Sequence, residues 1–328
     1  MDNSNDYNPP YKVSEKTLSF VASISEKISL LQINQTNRVA LDLRRNNRIK
    51  SINSSLAIEN NSLSLEETRD IINGKAVAGP REEIVETKNA LAAYEELPRL
   101  KSTSEKDLLR AHKLMTKDLV KTAGHYRSGG AGVFAGSQVV HTAPPANMVP
   151  QLMGNLFDWL AKTQAHPLIK SSIFHYEFVF IHPFADGNGR VARLWQTLIL
   201  SEWREVFAWL PAESMIRKYQ QDYYDAIAVA NKSADITPFL EFMLKMIDET
   251  AAGERQIRDG NEKMSKLLSA LGDSSRTRAE LMKRLGLKNS ANFLNEYLRP
   301  ALDGGLIEMT LPDKPNSKNQ EYKKKIAK

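Results

Sequence analysis

Twelve residues constrain this chain more than any others: His182-Pro183-Phe184-Ala185-Asp186-Gly187-Asn188-Gly189-Arg190-Val191-Ala192-Arg193. A strongly apolar run precedes them (Phe178, Val179, Phe180, Ile181), and a helical pattern follows (Leu194, Thr197, Leu198, Glu202). The Gly-Asn-Gly therefore opens a helix, where the first backbone N–H groups lack intrahelical partners and the dipole favours anions. Glycine lets the backbone approach phosphate oxygens with no Cβ in the way. Arg190 and Arg193, three apart, are expected to share one face and reach the same polyphosphate. Asp186 stands beside those oxygens as a ligand for a divalent cation. His182 supplies the side chain whose ordinary titration range suits it to take a proton from an attacking hydroxyl. These parts describe nucleotidyl transfer.

The chain of 328 residues is long enough for two domains, and a 41% hydrophobic content can fill their cores. It has no cysteine, which excludes disulfides and thiolate metal sites. The polar N-terminus does not read as a signal peptide, and no apolar run suffices to span a bilayer, so a cytoplasmic protein with no membrane partner is expected. Of the 45 Lys+Arg, 12 fall after residue 273, against 6 of the 39 Asp+Glu, so the whole excess of +6 lies in that segment. This points to a separate module there.

Along the chain, residues 1–12 read as a polar, Pro-containing arm lying on the surface or disordered. Leu18, Val21, Ile24, Ile28 and Leu31 mark a first amphipathic helix. A second runs through Val39, Leu41, Leu43 and Ile49 with Arg44, Arg45 and Arg48 exposed. Helices follow over 63–72 and 84–97, broken at 74–80. Ser104 opens another with a capping-box pattern, and His112 lies in its apolar register as a packed, hydrogen-bonded core residue. The Gly-rich stretch 124–145, with β-formers Val133, Phe134, Val139 and Val140, predicts a hairpin. Pro150 starts a helix, another runs from about Ile169 into the motif with His175 as a structural residue, and Pro238 opens a long one reaching about Asp259. Residues 277–287 and 290–301 resemble a helix-turn-helix, and 306–322 the wing that completes a winged helix.

The motif fills all eight specified positions of His-x-Phe-x-(Asp/Glu)-Gly-Asn-Gly-Arg-x-x-Arg, and on these residues the chain resembles the Fic family of protein adenylyltransferases. Further resemblances accompany it. Ser55-Leu56-Ala57-Ile58-Glu59-Asn60 matches (Ser/Thr)-x-x-x-Glu-(Gly/Asn), the inhibitory-helix motif that many members carry before the core. Gly124-His125-Tyr126-Arg127 followed by Val133-Phe134-Ala135-Gly136 resembles the flap that covers the nucleotide and pairs with a target backbone. Tyr223-Tyr224 with Asn231 is similar to the part that packs around adenine and ribose.

The resemblance implies a mainly α Fic fold, a helical core with an active-site β-hairpin flap, plus a C-terminal winged helix-turn-helix. It divides the chain into an N-terminal helical region with the inhibitory motif (1–97), a catalytic core (98–260) and the winged-helix module (274–328). It implies transfer of AMP from ATP to a Ser, Thr or Tyr hydroxyl of a target protein or of the enzyme itself. His182 would be the catalytic base and Asp186 the ligand of Mg²⁺. Val133, Phe134, Ala135, Gly136, Gly187, Asn188, Gly189, Arg190, Val191, Ala192, Arg193, Tyr224 and Asn231 would bind nucleotide. Ser55 and Glu59 would be regulatory, Glu59 by pairing with Arg193. The alternatives are transfer of another phosphate-containing group, removal of AMP, or a DNA-binding regulator using the winged helix. Small winged helices also serve in dimerisation, so both DNA and a homodimer stand as partner expectations.

Overall fold

The computed structural model describes residues 7–32, 38–135, 138–272, 274–315 and 317–325. Two compact units divide between Ala252 and Gly253. The first is helical. Its centre is the antiparallel pair α7 (Pro167–Ile181) and α8 (Asn188–Trp203), joined by the twelve-residue motif's loop. Nearly every residue of α7 is buried, and a helix apolar on all sides belongs in the middle of a core. Around the pair lie α1 (Glu15–Gln32), α2 (Arg38–Ile58), α3 (Leu65–Ile72), α4 (Arg81–Glu96), α5 (Glu105–Met115) and α6 (Val149–Lys162). After the pair come α9 (Ala212–Lys218), α10 (Gln220–Ser233) and α11 (Thr237–Leu271). One apolar cluster runs from Ile24 through Tyr94, Phe174 and Trp195 to Ala251, so α1 to α4 share a core with the motif helices.

The expected hairpin is present as β1 (Gly132–Ala135) and β2 (Gln138–Thr142), antiparallel, with an irregular register between Val133 and Phe134. Gly136 lies outside the described residues.

One expectation is met in the first of its two forms and three are corrected. The described part of the arm, from Tyr7, lies on the surface and is fastened there: Ile236 N–H donates to the Pro10 carbonyl at 2.8 Å, Lys12 N–H donates to Thr237 Oγ1 at 2.9 Å, and Tyr7 and Tyr11 pack on the core. Its two aromatic rings outweigh its polar composition. Residues 1–6 lie outside the described residues. Arg44 and Arg48 are half-buried, not exposed; Arg48 Nη2 donates to the Ala208 carbonyl at 3.4 Å and Arg44 lies over the Trp209 ring. Their long stems cover apolar surface while the charged heads find partners. The α2 helix runs beyond the expected Ile49 to Ile58, so Ser55 to Ile58 form its last turn and Glu59 and Asn60 the turn that follows. Finally, α11 continues to Leu271, because Leu267 and Leu271 enter the core of the second unit.

That second unit holds the sheet order β3-β5-β4, all antiparallel: β3 (Arg276–Thr277), β4 (Ile307–Met309) and β5 (Glu321–Lys324). Between β3 and β4 lie α12 (Arg278–Arg284), α13 (Ser290–Phe293) and α14 (Arg299–Asp303), the last two joined by a π-helical turn over Leu294–Leu298. Thr277 and Glu280 cap α12 reciprocally, and Leu281, Phe293, Leu298, Ala301, Ile307 and Tyr322 form the core.

Candidate active site

The loop between α7 and α8 is built from backbone outward. Pro183 disfavours a right-handed conformation for the residue before it, and α7 ends at His182 in the left-handed region (φ 50°, ψ 60°). Its N–H still donates to the Phe178 carbonyl at 2.9 Å, which closes the helix. The half-buried His182 side chain thereby leaves the helix at the mouth of the loop. Phe184 anchors the loop in the core, fully buried and stacked on the His112 ring at 3.6 Å. Asn188 staples it: Oδ1 accepts from Phe184 N–H and Nδ2 donates to the Phe184 carbonyl, both at 2.9 Å. Gly187, at φ 81°, makes the reversal into α8; a Cβ there would also lie 2.8 Å from Thr116 Cγ2. The N–H groups of Asn188, Gly189 and Arg190 then open α8, as the anion site requires.

Two residues hold this loop: His112, expected as a packed, hydrogen-bonded core residue, and Arg127, named in the flap segment but given no role by the sequence. His112 Nδ1 accepts from Gly124 N–H at 2.8 Å, which assigns the proton to Nε2, and Nε2 donates to the Asp186 carbonyl at 3.0 Å. Burial lowers its pKa to about 4, so it stays neutral in that role. Arg127 is buried and spends its guanidinium on carbonyls: His182 at 2.7 Å, Gly129 at 2.8 Å, Pro144 at 2.6 Å and Ile181 at 3.3 Å. Its own N–H donates to the Pro183 carbonyl at 2.9 Å. It thus clamps the base of the hairpin to the motif loop. A lone arginine in a Gly-rich stretch gives no periodic signal that would have marked it.

The two arginines of the motif are both buried but go to different acids. Arg190 Nη2 donates to Asp186 Oδ2 at 2.7 Å and Nη1 to Glu86 Oε1 at 2.9 Å. Arg193 Nε donates to Ser55 Oγ at 2.9 Å, while Nη2 donates to the Ser55 carbonyl at 2.9 Å and to Glu59 Oε1 at 2.7 Å. The Arg193 side chain is 1% exposed and that of Glu59 37%, so the carboxylate plugs the site from its open side. A Cβ built on Gly189 would collide with Glu59 Oε1. The carboxylate therefore lies on the glycine surface where a phosphate oxygen would approach. Val191 and Ala192 are fully buried, so their side chains pack in the core.

The end of α2 has a polar seat. Ser51 Oγ donates to Glu213 Oε2 at 2.9 Å, Ser54 and Ser214 hydroxyls meet at 3.1 Å, and Arg217 donates to Asn53 Oδ1 at 3.0 Å. Gln220 Nε2 donates to the Ile58 carbonyl at 3.0 Å, and Tyr224 Oη to the same oxygen at 3.4 Å. Tyr224 thus meets the end of α2. Asn231 Oδ1 accepts from Tyr176 Oη at 2.6 Å, a partner that the sequence did not suggest. Val133, Phe134 and Ala135 stand on β1. His175, fully buried, contacts Gln196 at 2.6 Å and Tyr223 at 3.0 Å and is structural.

Fold and site together define a helical protein with a glycine-containing loop at a helix start, clamped to a hairpin and covered by a carboxylate from the turn after a preceding helix. The chain belongs to the Fic family. Residues 102–200 match the Fic/DOC family model, and residues 262–324 match the C-terminal domain of Fic-like (filamentation induced by cAMP) proteins. A crystal structure of a Fic family protein from Desulfovibrio desulfuricans G20 is 46% identical, with a TM-score of 0.74 over 98% of this chain and 99% of that one. Fic-1 (residues 134–508) from C. elegans is 26% identical, with a TM-score of 0.63 over 76% of this chain and 73% of that one. Among curated proteins, a protein adenylyltransferase Fic from Aedes aegypti is 30% identical over 237 residues, 68% of this chain and 44% of that protein. The corresponding protein of Nematostella vectensis is 31% identical over 60% of this chain and 46% of its own length. The chain thus spans less than half the length of these two curated relatives. Among the described residues no helix is long and apolar enough to cross a membrane.

Proposed function

We propose that this chain transfers AMP from ATP to a hydroxyl of a target protein, releasing pyrophosphate, and that Glu59 holds it in an inhibited state. The observation that carries this reading is the Glu59–Arg193 contact of 2.7 Å, made on the open face of Gly189. An enzyme whose anion loop is filled by its own carboxylate has a site for a triphosphate and a means of blocking it.

His182 takes the proton of the attacking hydroxyl. The Asn188, Gly189 and Arg190 N–H groups face the α-phosphate, where charge develops. Arg193 neutralises the terminal phosphates once Glu59 withdraws, and Asn231 and Tyr224 pack towards the nucleoside. Mg²⁺ is usually held by one or two carboxylates plus substrate phosphates rather than by an all-protein cage. Asp186 is the residue that would hold it: its side chain is 58% exposed, with hard oxygen donors. The cation would supply charge neutralisation to the triphosphate.

The C-terminal unit is proposed as a winged-helix docking module. Its second helical segment exposes Asn292, Asn295 and Arg299 but also Glu296 and Asp303, so its charge does not favour a nucleic-acid reading.

The test is autolabelling with α-labelled ATP and Mg²⁺, wild type beside Glu59→Gly. Arg193 keeps both Ser55 contacts in the variant, so it folds. Labelling rises on the order of a hundredfold, since a misplacement of about 1 Å costs that much. Ser55→Ala gives a smaller gain. Equal labelling, with folding confirmed, removes the inhibitory role; label taken only from a different phosphate donor reassigns the transferred group.

A further inference from the structure

A second route ties the turn after Glu59 to the motif loop. Asn61 is buried, and its Nδ2 donates to Glu86 Oε2 at 2.8 Å and to the Glu83 carbonyl at 3.3 Å. The other Glu86 oxygen, Oε1, accepts from Arg190 Nη1 at 2.9 Å, and Arg190 Nη2 donates to Asp186 Oδ2 at 2.7 Å. One carboxylate on α4 therefore touches both the inhibitory turn and the guanidinium that holds Asp186. The Arg190 side chain is 3% exposed, so this cation is shielded from water while Asp186 is not.

We propose that Glu86 is a positioning residue: it shares the charge of Arg190, which leaves Asp186 able to take a divalent cation. Asn61 fixes the Glu86 carboxylate and so links the cation site to the 59–61 turn. The proposal rests on the nucleotidyl-transfer reading above. An arginine is charged under all working conditions and forms its strongest contacts with carboxylates. With Glu86 replaced by a neutral amide, Asp186 is left as the acid that balances the buried guanidinium. A one-to-one pair at that distance holds the Asp186 oxygen against Mg²⁺, which needs near-ideal octahedral geometry. With Glu86 charged, the guanidinium divides between two acids, and the hold on Asp186 weakens. Because Asn61 belongs to the turn that presents Glu59, withdrawal of that turn and the cation affinity of Asp186 influence each other, and such coupling is reciprocal.

The experiment compares Glu86→Gln, Glu86→Asp and Asn61→Ala, each placed in the Glu59→Gly background. Two readouts are taken as Mg²⁺ is varied: AMP transfer, and calorimetric binding of a non-hydrolysable ATP analogue with Mg²⁺ and with EDTA. Glu86→Gln raises the Mg²⁺ needed for half-maximal transfer roughly tenfold, the weight of one charge-assisted contact. Turnover returns at saturating Mg²⁺. Binding of the analogue weakens in Mg²⁺ and is unchanged in EDTA. Glu86→Asp restores part of the loss, and Asn61→Ala shifts the Mg²⁺ dependence in the same direction by less. A lower turnover at every Mg²⁺ concentration with an unshifted midpoint overturns the proposal, as does equal weakening of the analogue in EDTA. If Glu86→Gln does not fold, Glu86→Asp decides alone: an unshifted midpoint overturns the proposal. Absence of transfer in every variant, with the Mg²⁺-selective loss of analogue binding intact, sinks the transferase reading and leaves the role of Glu86 standing.

Discussion

Single residues in this chain are most informative where charge meets burial. His182 leaves its helix in a left-handed conformation, and the following proline disfavours the right-handed one, so the backbone turns its ring out of the helix. His182→Ala is therefore expected to fold, to bind ATP as the wild type does, and to lose transfer by roughly a hundredfold or more, the usual weight of a general base. In the Glu59→Gly background, autolabelling and nucleotide titration check the two halves separately, and a variant that keeps most of its labelling would remove His182 from the chemistry. Glu177 is a second such residue. It is buried on α7, and that burial pushes its pKa up to about 7, while a hydrogen bond from Tyr7 pulls it back. A carboxyl whose folded pKa exceeds its unfolded one binds more protons when folded, so stability falls as pH rises from about 4.5 to about 7. The buried His112 and His175, lowered to about 4 and about 3, act with the opposite slope below about 6.5, losing stability as pH falls. The difference in Tm between Glu177→Gln and the wild type should therefore grow in favour of the variant between pH 5 and pH 8. A constant difference would show that Glu177 titrates normally.

Among elements, the loop from His182 to Gly187 is held from three sides, by the His112 ring, the Arg127 guanidinium and the Asn188 amide. Its weak point to substitution is Gly187. Gly187→Ala must adopt a positive φ, and its methyl would also press on Thr116 Cγ2. The left-handed conformation alone costs about 1–2 kcal/mol. The expected loss is on the order of 2–4 kcal/mol, read from urea unfolding. Thr116→Ala in the same chain recovers the steric part only. Full recovery would mean that φ contributes nothing. The extent of this loop was legible from the sequence, because a proline ends one helix and a Gly-Asn-Gly opens the next. The clamp was not. Arg127 is 55 residues from His182 in sequence, and a guanidinium satisfied by four carbonyls leaves no mark in composition or periodicity. The same holds for Glu86, which reads as one more acid on an amphipathic helix. The extent of α2 was also hidden: its last turns include Asn53, Ser54 and Ser55, residues that favour caps over helix interiors, and these turns are seated by polar contacts on α9 and by Ile52, Leu56 and Ile58 in the core.

Across the whole molecule, α11 belongs to both units, and the place where it is cut should decide what survives. A chain ending at Ala252 retains the first unit's apolar cluster whole. One ending at Gly272 carries Leu267 and Leu271 with their core removed. The shorter chain is expected to be the better behaved, with a sharper thermal transition and nucleotide binding unchanged, whereas the longer one should expose apolar surface and bind a hydrophobic dye. The reverse order would place α11 beyond Ala252 within the first unit's stability. The sequence by itself determined the residues and extent of the loop, the helical class, the hairpin and the separate character of the C-terminal segment. These rest on local signals: proline and glycine at turns, apolar periodicity, and the order of base, acid, glycines and arginines. The Glu59–Arg193 pair was implied by the family resemblance, and the structure contains it; only the tertiary structure decided that Arg190 meets Glu86. Both arginines stand on one helix three residues apart, yet Arg193 turns to Ser55 at the end of α2 and Glu59 in the turn after it, while Arg190 turns to Glu86 on α4. Long flexible side chains at adjacent positions reach different partners, and which partner lies within reach is set by how the helices pack rather than by spacing along the chain.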